Sequence, residues 1–318
     1  MTINVLTSAK VRRDLRENLK KDFQDVNFLF CKSMYEAKGK LSYADILITY
    51  GDDLDEKMIK QAEHLKWIMV MTAGVEQLPF QAIKEKNILV TNARGIHKIP
   101  MAEFTIGLML NYVKKFRQLS NNQERHYWEE TLKLGELSGK KMTIIGPGAI
   151  GSEIARLAKA FHMETTGVNR SGRPVEFIDN IYSMTQINEA LKSADYVISV
   201  LPTTSETYQL INKDLFKAMK QEAVFINIGR GTTVNQKDLY QALVKKEISH
   251  AILDVFEEEP LPEDHPFWAM EEVTVTPHIS ARTDQYQPRA VEIFKKNLYK
   301  YIHKENKFIN QIDLDRGY

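Results

Sequence analysis

Gly146-Pro147-Gly148-Ala149-Ile150-Gly151 is a G-x-G-x-x-G run. It follows the apolar stretch Met142 to Ile145 and opens a segment that carries Ile154, Leu157 and Ala158 at helical spacing. In a strand-to-helix turn the first glycine permits the tight bend, the second lets a pyrophosphate approach the backbone, and the third lets the helix pack closely on the sheet. The free N–H groups of the helix start, at Ala149 and Ile150, then meet an anion together with the positive end of the helix dipole. Placement between a strand and a helix separates this run from a chance match and points to a dinucleotide.

The end of the next strand, Val168-Asn169-Arg170-Ser171-Gly172-Arg173, is where an acid ordinarily receives the ribose 2′-hydroxyl. No acid is present. Asn169 cannot repel a 2′-phosphate, and Arg170 and Ser171, helped by Arg173, can donate hydrogen bonds to one. NADP is therefore favoured over NAD, the alternative being that the two arginines form an ordinary basic turn.

Three later runs also place polar groups just past apolar strands. Ile226-Asn227-Ile228-Gly229-Arg230-Gly231 ends in an arginine between glycines, whose planar fork can grip a carboxylate. Ile252-Leu253-Asp254-Val255-Phe256 leads into Glu257-Glu258-Glu259-Pro260, and Val275-Thr276-Pro277 leads into His278-Ile279-Ser280. Of eight histidines, His278 alone follows a strand and a proline in this way. Singly, Arg230 reads as a surface residue and His278 as a structural one. Together an arginine, an acid and a histidine at the edge that carries the glycine loop can polarise a carbonyl and deliver a proton to it.

These groups need a parallel sheet to hold them. The first hundred residues alternate short apolar runs (Ile3 to Leu6, Phe28 to Cys31, Ala44 to Tyr50, Trp67 to Met71, Ile88 to Thr91) with polar, helix-favouring stretches. A long helix opens near Pro100. A second series follows, with strands at 141–146, 165–169, 196–201, 223–229, 249–255 and 273–276, and the segment 288–301 has the pattern of an amphipathic helix. The fold expected is α/β: a Rossmann-type doubly wound domain over 98–283, and a smaller flavodoxin-like substrate domain formed by 1–97 and 284–318.

With 318 residues, two domains of ordinary size are expected. The net charge of +1 and the 43% hydrophobic content give no footprint for nucleic acid and no sign of disorder. Cys31 is the only cysteine, which excludes an intrachain disulfide and a cysteine-built metal site, and no metal is expected. The N-terminal pattern does not fit a signal peptide, and no apolar run is long enough for a membrane span, so a cytoplasmic protein with a small-molecule partner is expected.

Gly146 to Gly151, Asn227 to Gly231, Asp254 to Pro262 and Thr276 to Ser280 resemble, in order and spacing, the signatures of the D-isomer-specific 2-hydroxyacid dehydrogenases. The resemblance covers nearly the whole chain, including Thr72-Ala73-Gly74-Val75-Glu76 and Asn92-Ala93-Arg94-Gly95. It implies a catalytic trio of Arg230, Glu259 and His278, with Asp254 near the nicotinamide and Glu259 favouring the protonated imidazole. It also implies that the amides of Ala73, Gly74 and Val75 bind the substrate carboxylate. Coenzyme contacts would extend to Leu201, Pro202, Thr207, Ile228, Gly229 and Ser280. Family members are typically homodimers with a cleft between substrate and cofactor domains. Asn169 and Arg170 depart from the NAD-using pattern. Glu259 argues against formate dehydrogenase, which carries Gln there. The stretch Glu259 to Trp268 is most similar to glyoxylate or hydroxypyruvate reductases, which act on small 2-oxo or D-2-hydroxy acids. The alternatives are a phosphoglycerate-dehydrogenase-like NAD enzyme and a dinucleotide-sensing binding protein similar to C-terminal-binding-protein corepressors.

Overall fold

The computed structural model describes residues 2–314. By their contacts they form two compact units, 2–96 with 283–314 and His97–Arg282.

The first unit is built on strands β1 (Ile3–Thr7), β2 (Val26–Phe30), β3 (Ile46–Thr49), β4 (Trp67–Val70) and β5 (Leu89–Asn92). They lie in the order β2-β1-β3-β4-β5, and every pairing is parallel. This is the flavodoxin-like order. β3 and β4 are buried at all their positions, and all but Thr49 are apolar because a parallel sheet is covered on both faces. Helix Arg13–Asp22 buries Leu15 and Leu19, one turn apart, with Asp14 in its first turn and Lys20 and Lys21 in its last, the sense that suits the helix dipole. Helix Tyr286–Ile302 buries Ala290, Val291, Phe294 and Leu298 in the same core. Trp67 stacks on Phe294 at 5.2 Å and on Tyr301 at 5.7 Å, and the Tyr286 hydroxyl donates to the Met71 carbonyl at 2.9 Å.

The second unit has seven parallel strands: β6 (Lys141–Ile145), β7 (Glu164–Asn169), β8 (Asn180–Ser183), β9 (Tyr196–Ser199), β10 (Val224–Asn227), β11 (His250–Leu253) and β12 (Val273–Val275). Their order is β12-β11-β10-β9-β6-β7-β8. The winding reverses between β6 and β9, and in such sheets ligands lie beyond the strand ends at that switch point. Helix Lys98–Val113, with Pro100 in its first turn, shares a core with helix Ala149–Ala160 through Met101, Ala102, Ile106, Met109, Ile154 and Ala158. The pattern gives six strands here, and the structure adds β8. Asn-Ile-Tyr-Ser at the sheet edge has no fully buried position, so it lacks the apolar run that marks the others.

Candidate active site

The glycine loop divides its work among three positions. Gly146 has φ +84°, and its N–H donates to the Val168 carbonyl at 2.9 Å. A Cβ on Gly151 would lie 2.9 Å from Ile144 Cγ2, so that glycine sets the distance between helix and sheet. A Cβ on Gly148 would meet nothing within 4 Å, and Gly148 caps helix Ala149–Ala160 without any side-chain hydrogen bond. The helix start is therefore open to an outside anion. A groove of about 480 Å³ adjoins it, lined by Gly146, Gly148, Asn169, Leu201, Pro202 and Thr207 among others. An uncapped helix start beside an open glycine and a groove of this size fits a dinucleotide.

The turn after β7 is organised by Asn169. Its amide nitrogen donates to the Arg173 carbonyl at 2.8 Å, and its oxygen accepts from the Ser171 N–H at 3.1 Å. Asn169 thus shapes the turn, and Arg173 contributes its carbonyl to it. Neither Ser171 nor Arg173 lines the groove, whereas Arg170 does. Arg170 is ion-paired with Glu206, which also lines the groove. Glu206 has no counterpart among the residues singled out from the sequence. It comes from the loop after β9, and no local pattern links it to β7. The Thr207 hydroxyl donates to the Pro202 carbonyl at 2.6 Å and accepts from the Thr204 N–H at 2.8 Å, so it ties that loop into a turn.

Beyond β10 the chain runs against its neighbours. A Cβ on Gly229 would lie 2.6 Å from the Leu201 carbonyl oxygen, and one on Gly231 1.8 Å from the Phe256 carbonyl carbon. No larger residue fits at either place without moving backbone. Arg230 sits between them with an exposed side chain, its carbonyl accepting from Asn227 Nδ2 at 3.1 Å and Thr233 Oγ1 at 2.7 Å. Ile228 is buried in the core below, away from the groove lining.

Asp254 is fully buried and satisfied. One oxygen accepts from Thr276 Oγ1 at 2.7 Å and the Ile279 N–H at 3.0 Å, the other from the Ser280 N–H at 2.9 Å. These bonds pin the turn that carries His278, whose N–H donates to the Asp254 carbonyl at 2.8 Å and whose φ is +52°. His278 Nδ1 lies 2.7 Å from Glu259 Oε2, and the other Glu259 oxygen accepts from the Phe256 N–H at 2.9 Å. With the proton on Nδ1 donated to the carboxylate, Nε2 is the ring atom left for chemistry. A cavity of about 510 Å³ adjoins the pair, walled by Phe256, Pro260, Trp268, Val275 and Pro277. His97, which no sequence pattern marked, lies within the field of Arg230. Burial holds its imidazole below the ordinary range, hydrogen bonding to the backbone of Ala281 opposes that shift, and the charge of Arg230 reinforces it.

In the first unit, the amides of Ala73, Gly74 and Val75 donate to no backbone acceptor among the described residues. The loop is braced by Asn92 Nδ2, which donates to the Ala73 carbonyl at 2.5 Å, and by Thr72 Oγ1, which donates to the Gly74 carbonyl at 2.8 Å. Beside it is a hollow of about 350 Å³ whose lining includes Tyr50, Asp52, Gly74 and Glu76, with no lysine or arginine.

A doubly wound sheet with an open glycine loop at its switch point, and a histidine–carboxylate pair held at the same edge, defines the class of nicotinamide-dependent oxidoreductases. Residues 106–280 match the family described as D-isomer specific 2-hydroxyacid dehydrogenase, NAD binding domain, and the chain belongs to that family. It is 34% identical over 279 residues to D-3-phosphoglycerate dehydrogenase of Methanocaldococcus jannaschii, covering 85% of this chain and 52% of the relative, so the chain spans about half the length of that protein. It is 30% identical over 289 residues to glyoxylate reductase of Thermofilum pendens, covering 89% of this chain and 80% of the relative. A solved structure of a D-isomer specific 2-hydroxyacid dehydrogenase family protein from Aeromonas salmonicida is 30% identical, with TM-score 0.85 over 99% of this chain and 100% of that one.

Proposed function

We propose that this chain reduces a small 2-oxo acid with an uncharged side chain, of the glyoxylate or hydroxypyruvate kind, and that it prefers NADPH. The observation that carries the reading is the 2.7 Å contact of His278 with Glu259 on a turn pinned by buried Asp254. A bound reduced nicotinamide supplies the hydride. His278 gives the proton from Nε2 to the carbonyl oxygen as negative charge develops there, and Glu259, in contact with Nδ1, fixes the ring. Arg230 stabilises the same developing charge and orients the carboxylate. Asp254 acts through the turn rather than on the substrate. The amides of Ala73 to Val75 offer donors for the carboxylate.

The second unit is the dinucleotide-binding domain in this reading, and the first is the substrate domain. The likeness to a phosphoglycerate dehydrogenase favours a phosphorylated substrate instead. Asp52 and Glu76 oppose it, because two carboxylates and no cation line the hollow beside the amides of Ala73 to Val75 and repel a carboxylate plus a dianionic phosphate more strongly than a carboxylate alone. A homodimer belongs to the same reading, supported by the exposed aromatic and aliphatic side chains Phe116, Tyr127, Trp128 and Leu134. A monomer in sedimentation velocity removes it. The test of function is steady-state reduction of glyoxylate, hydroxypyruvate and 3-phosphohydroxypyruvate with each coenzyme. Higher kcat/KM for either unphosphorylated acid is expected. Turnover of none of the three, with coenzyme binding intact, would favour a dinucleotide-sensing binding protein.

A further inference from the structure

Arg170 and Glu206 are the two charged side chains that line the groove beside the glycine loop. They come from the turns and loops that follow two different strands of the sheet, β7 and β9, and they are ion-paired with each other. Both are largely exposed, with 82% and 66% of their side-chain surface accessible, so the pair is weak and opens readily. The backbone that carries Glu206 is nevertheless held, because the Thr207 hydroxyl donates to the Pro202 carbonyl and accepts from the Thr204 N–H.

From this arrangement we infer that Glu206 is the specificity-determining residue for the coenzyme's 2′ position. The inference rests on the reading of this groove as the coenzyme site. The acid missing at the end of β7 is supplied from the loop after β9. A ribose 2′-hydroxyl can donate to the Glu206 carboxylate while the ion pair persists. A 2′-phosphate needs Arg170 for itself, must break the pair, and then lies beside an unpaired carboxylate. Glu206 thus opposes NADPH, and Arg170 favours it. The coenzyme ratio is the balance of these two charges, with Asn169, uncharged and engaged in its own turn, taking no side.

The test is calorimetric titration with NADPH, NADH, 2′,5′-ADP and 5′-AMP, none of which requires turnover. In Glu206→Gln, Kd for the two 2′-phosphorylated ligands is expected to fall by roughly threefold to tenfold at low salt, while Kd for NADH and 5′-AMP stays the same or rises. The difference should shrink as salt is raised to about 0.5 M, where exposed charges are screened. Arg170→Ala should move the 2′-phosphorylated ligands the opposite way. Both side chains are exposed, so an unchanged melting temperature checks the fold. Equal changes for both classes of ligand, or none, overturn the inference. The outcome is separate from that of the NADPH preference. If the unmutated chain prefers NADH and Glu206→Gln shifts the ratio toward NADPH, the preference is wrong and the role of Glu206 stands. If the unmutated chain prefers NADPH and the ratio does not move, the reverse holds.

Discussion

His278 and Glu259 lie 19 positions apart in the chain and 2.7 Å apart in space. Their pairing requires Asp254, whose two oxygens hold three donors from residues 276–280. Substituting His278→Ala or Arg230→Ala should lower kcat/KM for 2-oxo acid reduction by roughly 10² or more while leaving coenzyme Kd within about threefold, the scale of a lost proton donor or charge-stabilising group. Near-normal turnover in both variants would remove them from the chemistry. Asp254→Asn should lower melting temperature as well as rate, because a buried amide cannot accept all three donors. Residues that end strands at the carboxyl edge were legible because strand pattern and parallel topology together fix where such residues emerge. Glu206 and His97 were not. Glu206 meets Arg170 from a loop 36 residues further along the chain, His97 only precedes the helix Lys98–Val113, and neither lies in a pattern of its own.

At the scale of elements, the glycine loop separates packing from binding. Gly148→Ala adds a methyl group to open space, so melting temperature should hold while coenzyme Kd rises by roughly tenfold or more, since a ligand must come close there. Gly231→Ala forces a methyl group to within 1.8 Å of the Phe256 backbone, and a loss of about 3 kcal/mol or more is expected in denaturant unfolding. If Gly148→Ala is the less stable variant, the division is wrong. Eleven of the strands were legible in the sequence, because buried parallel strands are mostly apolar, as in residues 46–48 and 196–198. The exception, Asn180–Ser183, pairs only along β7 and buries no residue fully. Short helices such as Phe80–Glu85 and Lys213–Ala218 gave little signal, because six residues hold under two turns of any periodicity.

For the molecule as a whole, acid sensitivity should concentrate at His250. Its ring lies 4.7 Å from that of Tyr112, its Nε2 is 2.9 Å from Thr274 Oγ1, and burial pushes it down from 6.5 to about 4, with Arg117 acting in the same sense and Glu272 against it. The folded state keeps this histidine neutral over a range in which the unfolded chain protonates it. Its contribution is thus complete above pH 6.5 and is lost as pH falls toward 4. Between pH 6.5 and 5 the unmutated chain should lose about 2 kcal/mol more stability than His250→Gln, from about 1.4 kcal/mol per pH unit per proton. Equal losses in chemical denaturation would show that other groups govern the acid limb. The helix Tyr286–Ile302 has a different consequence, one of timing. Phe294 and Tyr301 cover Trp67, Ile312 donates to the Val90 carbonyl, and Asn310 bonds the carbonyls of Asn92 and Arg94. The first unit therefore lacks part of its core until the segment after Arg282 has emerged from the ribosome, whereas His97–Arg282 is continuous and can close earlier. A chain ending at Arg282 and free of the ribosome should protect the second unit from protease and leave the first open to it, so the order of synthesis and the order of folding run in opposite directions.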